Sequence, residues 1–300
     1  MRFGPPPLGS SLTIGGQAVV EGVMMRSPRY LSVAVREPDG RLVVHSQPFP
    51  SLLLRRWLRL PVIRGIVVLY ESLVLGARAI MLSASQAVTE GAAPTGRDVG
   101  IAMGLGLGLS ITLFFLVPTL AIRVAEGVLG SALAQNLGEG ALRVALVTGY
   151  IGLIGRIPDL RRVYQYHGAE HKAVNAFEAG VPLNVSEVRA CSRFHPRCGT
   201  SFLLIVMLVA VVLYALLGHP SLGTRLLERV LLLPLVAGVS YEIIRLAGRS
   251  RIVRALVVPG IWLQHLTTRE PEDAHLEVAI RALREVLEGE TAVGAAPPVL

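Results

Sequence analysis

Two uncharged apolar runs dominate the chain, residues 101–122 (IAMGLGLGLSITLFFLVPTLAI) and 200–218 (TSFLLIVMLVAVVLYALLG), each long enough to cross a bilayer as a helix. Two weaker runs follow the same pattern. Residues 141–155 are apolar except for Arg143, and residues 230–247 except for Glu242 and Arg245. Those last two lie one turn apart, which predicts that they pair or face a polar cavity in a helix bundle. Ahead of these runs, residues 30–36 and 41–47 alternate apolar and polar around Glu37-Pro38-Asp39-Gly40, the pattern of a β-hairpin. Residues 52–59 (LLLRRWLR) are basic and amphipathic. In the run that follows, 62–83, Arg64, Glu71 and Arg78 recur every seven positions on an otherwise apolar helix. A crossing there would carry Glu71 to mid-membrane, so the expectation is a helix in the membrane interface or packed by its charged stripe on a cytoplasmic domain. Residues 257–266 are expected along the interface. Leu276, Ala279, Ile280, Leu283, Val286 and Leu287 then share one face of a soluble helix.

The pattern predicts a mainly α fold: a polytopic α-helical membrane protein of about four transmembrane helices, with a small N-terminal β-hairpin region and cytoplasmic helices. The divisions are a disordered N-terminus (1–11), a cytoplasmic or interfacial region (12–99), a transmembrane hairpin (100–156), a cytoplasmic His/Cys loop (157–199), a second hairpin (200–247), interfacial and cytoplasmic helices (248–289) and a disordered tail (290–300). Composition agrees, with 52% hydrophobic residues against 17% charged and a mean hydropathy of +0.56. The segments 123–143 and 219–229 hold only Arg123, Arg143, Arg225 and Arg229 of the 29 basic residues. The arginine-rich side is therefore the cytoplasm, and both termini and the 157–199 loop lie there in a multi-pass protein of the cytoplasmic membrane. The isoelectric point near 10.2 is thus explained by insertion, and no basic–aromatic interleaving points to nucleic acid. The first residues, MRFGPPPLGSS, have no apolar core or cleavage site of a signal peptide.

Candidate chemistry gathers in the predicted cytoplasmic loop. Residues 166–178 (YHGAEHKAVNAFE) contain His-x-x-Glu-His. On a helix, His167 and His171 project from one face, and Glu170, Asn175 and Glu178 lie on or beside it. Two imidazoles and two carboxylates are ligands for Zn²⁺ or another divalent metal, or form a hydrogen-bonded polar face. Gly168 weakens the helix and predicts a close approach by another segment. Both cysteines of the chain sit in CSRFHPRCGTS, where Cys191, His195 and Cys198 wrap an ion, donate a ligand to the histidine helix, or stand as buried thiols. A thiolate nucleophile is a further reading. Lys172 is the one lysine beside 28 arginines, which marks it either as a site amine holding an anionic group or donating a proton, or as a leftover surface residue. Upstream, residues 14–28 (IGGQAVVEGVMMRSP) predict glycine-shaped turns that present Gln17, Glu21 or Arg26, or simply pack under the next sheet.

Together GGQAVVEGVMMRSP, YHGAEHKAVNAFE and CSRFHPRCGTSF resemble the YqhQ-like family of bacterial membrane proteins, over about Leu12 to Leu287. That family is described as a domain of unknown function and sometimes as a metal-dependent enzyme. The resemblance implies a site at His167, Glu170, His171 and the Cys191/His195/Cys198 loop, with Gln17 and Glu21 nearby. His-x-x-Glu-His is also the order used by inverzincin peptidases, which take their third ligand from another helix, whereas Glu178 follows on the same one. The leading expectation is a metal-dependent hydrolase at the cytoplasmic membrane face. His167 and His171 bind Zn²⁺ with Glu178 or a cysteine as third ligand, and Glu170 is the general base toward a lipid headgroup, peptide or phosphoester. The alternative is a zinc-stapled scaffold that docks a cytoplasmic protein partner, with membrane lipids around either. Transport ranks third, because four spans show no internal repeat.

Overall fold

In the computed structural model, which describes residues 12–87, 95–216, 222–247 and 251–295, the N-terminal hairpin is half of a larger sheet. Strands β1 (Gly15–Val19), β2 (Gly22–Arg26), β3 (Tyr30–Arg36) and β4 (Leu42–Pro48) form an antiparallel meander in sequence order. The 14–28 stretch, read as glycine-shaped turns, is therefore a strand pair. Its tight turn is confined to Val20 and Glu21, where Val19 faces Gly22 and Glu21 adopts a positive φ of 49°. The predicted 30–47 hairpin is present, with Val33 opposite His45.

The rest is mainly helical. Two short 3₁₀ turns, Leu52–Leu54 and Arg56–Arg59, lead into α1 (Ile63–Gln86). Next come α2 (Gly96–Ile111), a π-helical turn (Thr112–Leu116) and α3 (Val117–Val124), then α4 (Glu126–Leu129) and α5 (Ala132–Ile154). Helix α6 (Pro158–Glu178) carries the histidines and α7 (Val185–Ala190) the approach to the cysteine loop. After it follow α8 (Gly199–Ala215), α9 (Leu222–Ala247), α10 (Arg251–Thr267) and α11 (Asp273–Ala295).

Both faces of the sheet are covered, which is why β2 and β3 read as nearly continuous apolar runs. Val23, Met25 and Ala34 on one face join Tyr166, Ala169 and Ala173 of α6 and Leu276, Leu283 and Val286 of α11 in a single core. On the other face, Val19, Met24, Val33 and Val35 pack with Leu75 and Ala79 of α1. The apolar face predicted for residues 276–287 is thus the one that closes the core. The helix runs further than predicted, through Ala295, because Glu290 accepts hydrogen bonds from Ser27 Oγ at 2.5 Å and Arg29 N at 3.1 Å. Only 296–300 of the predicted tail, and 1–11 at the other end, fall outside the described residues.

Four described helices are long and apolar enough to cross a membrane: Ile63–Gln86, Gly96–Val124, Ala132–Ile154 and Leu227–Ala247. The predicted 200–218 run forms a shorter apolar helix, α8, as does Ala255–Thr267. One face of α10 packs into the bundle: Val257, Leu263 and Gln264 are buried, and Gly260 is bare because Ser201 of α8 fills the space of a side chain. Leu263 joins Val147, Ile151, Leu204 and Met207 in the bundle core.

Buried charge inside the bundle gathers on one carboxylate. Glu139 takes Arg143 at 2.7 Å, Arg229 Nη2 at 2.6 Å and Thr119 Oγ1 at 2.9 Å. Pro118 has no N–H for the carbonyl of Phe114, and Arg143 Nε donates to that oxygen at 2.8 Å. Two of the four arginines on the predicted outer side are therefore held inside the bundle by one shared carboxylate. Glu242 and Arg245 do not pair as a closed couple. Glu242 reaches across to Arg64 Nε at 2.7 Å, and Arg245 is exposed.

Candidate metal centre

Helix α6 starts cleanly, with Pro158 at its first position, where a missing N–H costs nothing, and Asp159 in its first turn. The helical repeat then stacks the rings of His167 and His171, centroids 4.4 Å apart. Each ring is fixed by a backbone carbonyl. His167 Nδ1 lies 2.8 Å from Thr267 O and His171 Nδ1 2.6 Å from Arg193 O. A carbonyl only accepts, so both Nδ1 atoms carry a proton and both Nε2 atoms turn away from the backbone. Metal-binding histidines are oriented in this way.

Those Nε2 atoms meet one thiol. Cys198 Sγ is 3.3 Å from His167 Nε2, and His167, His171 and Cys198 bring one ligand atom each to within 4.8 Å of one another. Cys198 also caps α8, with Thr200 N donating to its sulfur at 3.4 Å and Thr200 Oγ1 3.1 Å away. Burial alone would push this thiol up, but the adjacent His167 and His171 outweigh it and hold it well below its ordinary value. Burial pushes His167 down, and the thiolate charge and hydrogen bond of Cys198, with Glu170, lift it to about 9. The donor set is thus two imidazoles and a thiolate, which suits a borderline divalent ion.

Glu170 stands at the edge of this trio. It is 6% exposed, its Oε2 is 3.5 Å from His171 Nε2, and its side chain lies over Gly16, where any Cβ would collide with it. The close approach predicted at Gly168 is real: the carbonyl of Arg269 occupies the space of its missing side chain. That contact holds the segment whose Thr267 carbonyl orients His167.

The cysteine loop is positioned by two amides. Gln264, fully buried, accepts from His195 N at 2.9 Å and donates to His195 O and Ser201 Oγ, both at 2.8 Å. Asn175 donates to Ser192 O at 2.7 Å and Phe194 O at 3.1 Å. Asn175 therefore serves the loop from outside the trio. Gln264, Thr200 and Thr267 had no sequence signal, because two of them act through backbone atoms or helix capping.

The remaining candidates lie elsewhere. Glu178 is engaged by Arg197 and by His195 Nε2 at 3.4 Å. His195 accepts from Arg197 N at 3.3 Å, and burial lowers its pKa. Cys191 is half-buried against the core of the sheet, α6 and α11, its sulfur 3.6 Å from Glu187 O, and burial pushes it up. Lys172 donates to Arg189 O at 2.7 Å and pairs with Glu270 at 2.5 Å. Gln17 packs on Gly76 of α1. Arg26 pairs with Glu71 at 3.4 Å, and Glu21 holds Arg162 and accepts from Tyr166 at 3.2 Å.

The family described as "Protein of unknown function (DUF1385)" matches residues 60–289. The uncharacterized protein YqhQ of Bacillus subtilis (strain 168) is 34% identical over 296 residues, spanning 91% of this chain and 92% of that protein. No solved structure matches.

Proposed function

The chain belongs to the DUF1385 family, and from that premise we propose a multi-pass protein of the cytoplasmic membrane that performs metal-dependent hydrolysis at the cytoplasmic face. Long apolar helices and the arginine distribution support the membrane reading. In this reading the apolar helices form two membrane hairpins, and the sheet, α6, α7 and α11 stand in the cytoplasm with both termini.

One observation carries the chemistry: two histidines with their Nδ1 atoms committed to carbonyls direct both Nε2 atoms toward a single low-pKa thiol. His167, His171 and Cys198 would hold the ion, zinc being the best match to this donor set. A divalent metal supplies Lewis acidity toward water and toward a carbonyl or phosphoryl oxygen. Glu170 accepts the proton of the attacking water on its carboxylate, beside His171 Nε2. Gly16 leaves room for that carboxylate, and the Thr267 and Arg193 carbonyls keep both imidazoles in one tautomer. The expected result for Glu170→Gln is full metal content with turnover lost; turnover retained in this variant removes Glu170 as the base.

A second reading, a metal-stapled scaffold that docks a cytoplasmic partner, is favoured by the burial of His171 and Cys198 and by the way the trio joins α6 to the start of α8. Metal analysis of His167→Ala and Cys198→Ala beside wild type tests both. Loss in both variants with unchanged Glu170→Gln behaviour and melting on chelation supports the staple. Metal-free wild type after reconstitution refutes both.

A further inference from the structure

Three described helices between the sheet and α6 are long and apolar enough to cross a membrane: α1, α2–α3 and α5. Chain parity chooses among them. The sheet precedes all three and α6 follows all three, yet Val23, Met25 and Ala34 share one buried core with Tyr166, Ala169 and Ala173. Elements in one core stand on one side of a membrane, so the number of crossings between them is even. At least one of the three helices does not cross.

The packing of α1 marks it as that helix. Leu75 and Ala79 lie on the sheet. Glu71, 3% exposed, accepts from Ser51 Oγ at 3.0 Å and Leu52 N at 2.5 Å, tying the helix to the strand-side chain that precedes it. The opposite face is apolar and bare. Ile63, Ile66, Tyr70, Leu73 and Ile80 are between 36 and 64% exposed, at helical spacing along the whole length. The stripe continues backwards through Leu60 and Trp57, 54 and 62% exposed, where Arg55, Arg56 and Arg59 are exposed as well. An apolar face with basic residues at its edge matches the anionic cytoplasmic leaflet in both polarity and charge.

We propose that residues 52–86 form an in-plane platform, which carries the sheet on one face and rests in the cytoplasmic leaflet with the other, its arginines gathering anionic phospholipid headgroups. This rests on the membrane reading above and is independent of the metal.

The test uses full-length protein in nanodiscs, with Trp57→Phe and Trp262→Phe removing both native tryptophans. Single tryptophans are placed by Ile66→Trp, Tyr70→Trp, Leu73→Trp and Ile80→Trp, with Leu107→Trp on α2 as the bilayer control. Quenching by phosphatidylcholine brominated at shallow or deep acyl positions reads depth. All four α1 positions are expected at one shallow depth, and Leu107→Trp at a greater one. Depth that passes through the bilayer centre along α1, or no quenching there while Leu107→Trp is quenched, overturns the platform alone. No quenching at Leu107→Trp overturns the membrane reading with it. In the lipid arm, native Trp57 (with Trp262→Phe) is quenched preferentially by brominated phosphatidylglycerol, and Arg55→Gln and Arg56→Gln each weaken that preference about fivefold. Equal quenching by the two lipids in the unsubstituted platform refutes headgroup selection.

Discussion

Replacing Gln264 by leucine isolates what holds the Cys198 loop. The substitution keeps the approximate volume and removes the acceptor for His195 N and the donors to His195 O and Ser201 Oγ. At about 1 kcal/mol per lost bond, three bonds amount to about 3 kcal/mol. If all of this falls on the loop, its closed population drops by as much as about 150-fold, and any affinity that needs Cys198 drops with it. Two assays read the effect. Amide exchange reports the 191–199 segment without metal, where Cys198 N bonds to His195 O at 3.4 Å. Chelator competition reports zinc affinity, expected to fall between about tenfold and 150-fold. Gln264→Glu, which keeps the acceptor but sets a carboxylate against the His195 carbonyl, is expected to be at least as damaging. Unchanged exchange together with zinc affinity within about twofold of wild type would show that the clamp does not position the thiol.

Metal uptake should be proton-linked with a defined sign. A His167 pKa of about 9 means the metal-free ring is protonated at neutral pH and must lose that proton, while the Cys198 thiol, held low, has none to give. Affinity then rises about tenfold per pH unit up to about pH 9, and calorimetry in buffers of differing ionisation enthalpy checks the release. In the bundle, Glu139→Leu strands Arg143 and Arg229, 6 and 4% exposed, at a cost of about 3–5 kcal/mol. A thermal midpoint in detergent equal to wild type would contradict this. Gly16→Ala drives a Cβ into the flexible Glu170 carboxylate, at a cost of about 1–3 kcal/mol. It should reproduce the turnover loss of Glu170→Gln while metal content stays intact, as elemental analysis would read.

Periodicity made part of this legible. His167, Glu170 and His171 owe their common edge to helical spacing alone, and the C-terminal core face followed from the same repeat. The choice between Cys191 and Cys198 was not legible, since it depends on how α7 turns the loop and on which cysteine reaches the start of α8. Glu178 has the right spacing for a ligand but is claimed by Arg197 from that loop, a tertiary contact with no trace in local sequence. Strands β1 and β2 were hidden by Gly15, Gly16 and Gly22, which mimic a turn. Gly16 and Gly22 are small because Glu170 and the Ala34 carbonyl stand against them. The heptad of Arg64, Glu71 and Arg78 was visible as a stripe, but its partners, Glu242 for Arg64 and Ser51 with Arg26 for Glu71, lie on other elements.

The sheet and α11 are separated by nearly the whole chain, although they share one core. During synthesis, β4 leaves the ribosome roughly 250 residues before the end of α11, an interval of roughly 10–50 s at ordinary elongation rates. For that time Val23, Met25 and Ala34 have α6 at most to cover them. The last described helix therefore acts as the closing wedge, and a nascent or truncated chain that stops before Asp273 presents an open apolar sheet to proteases and chaperones.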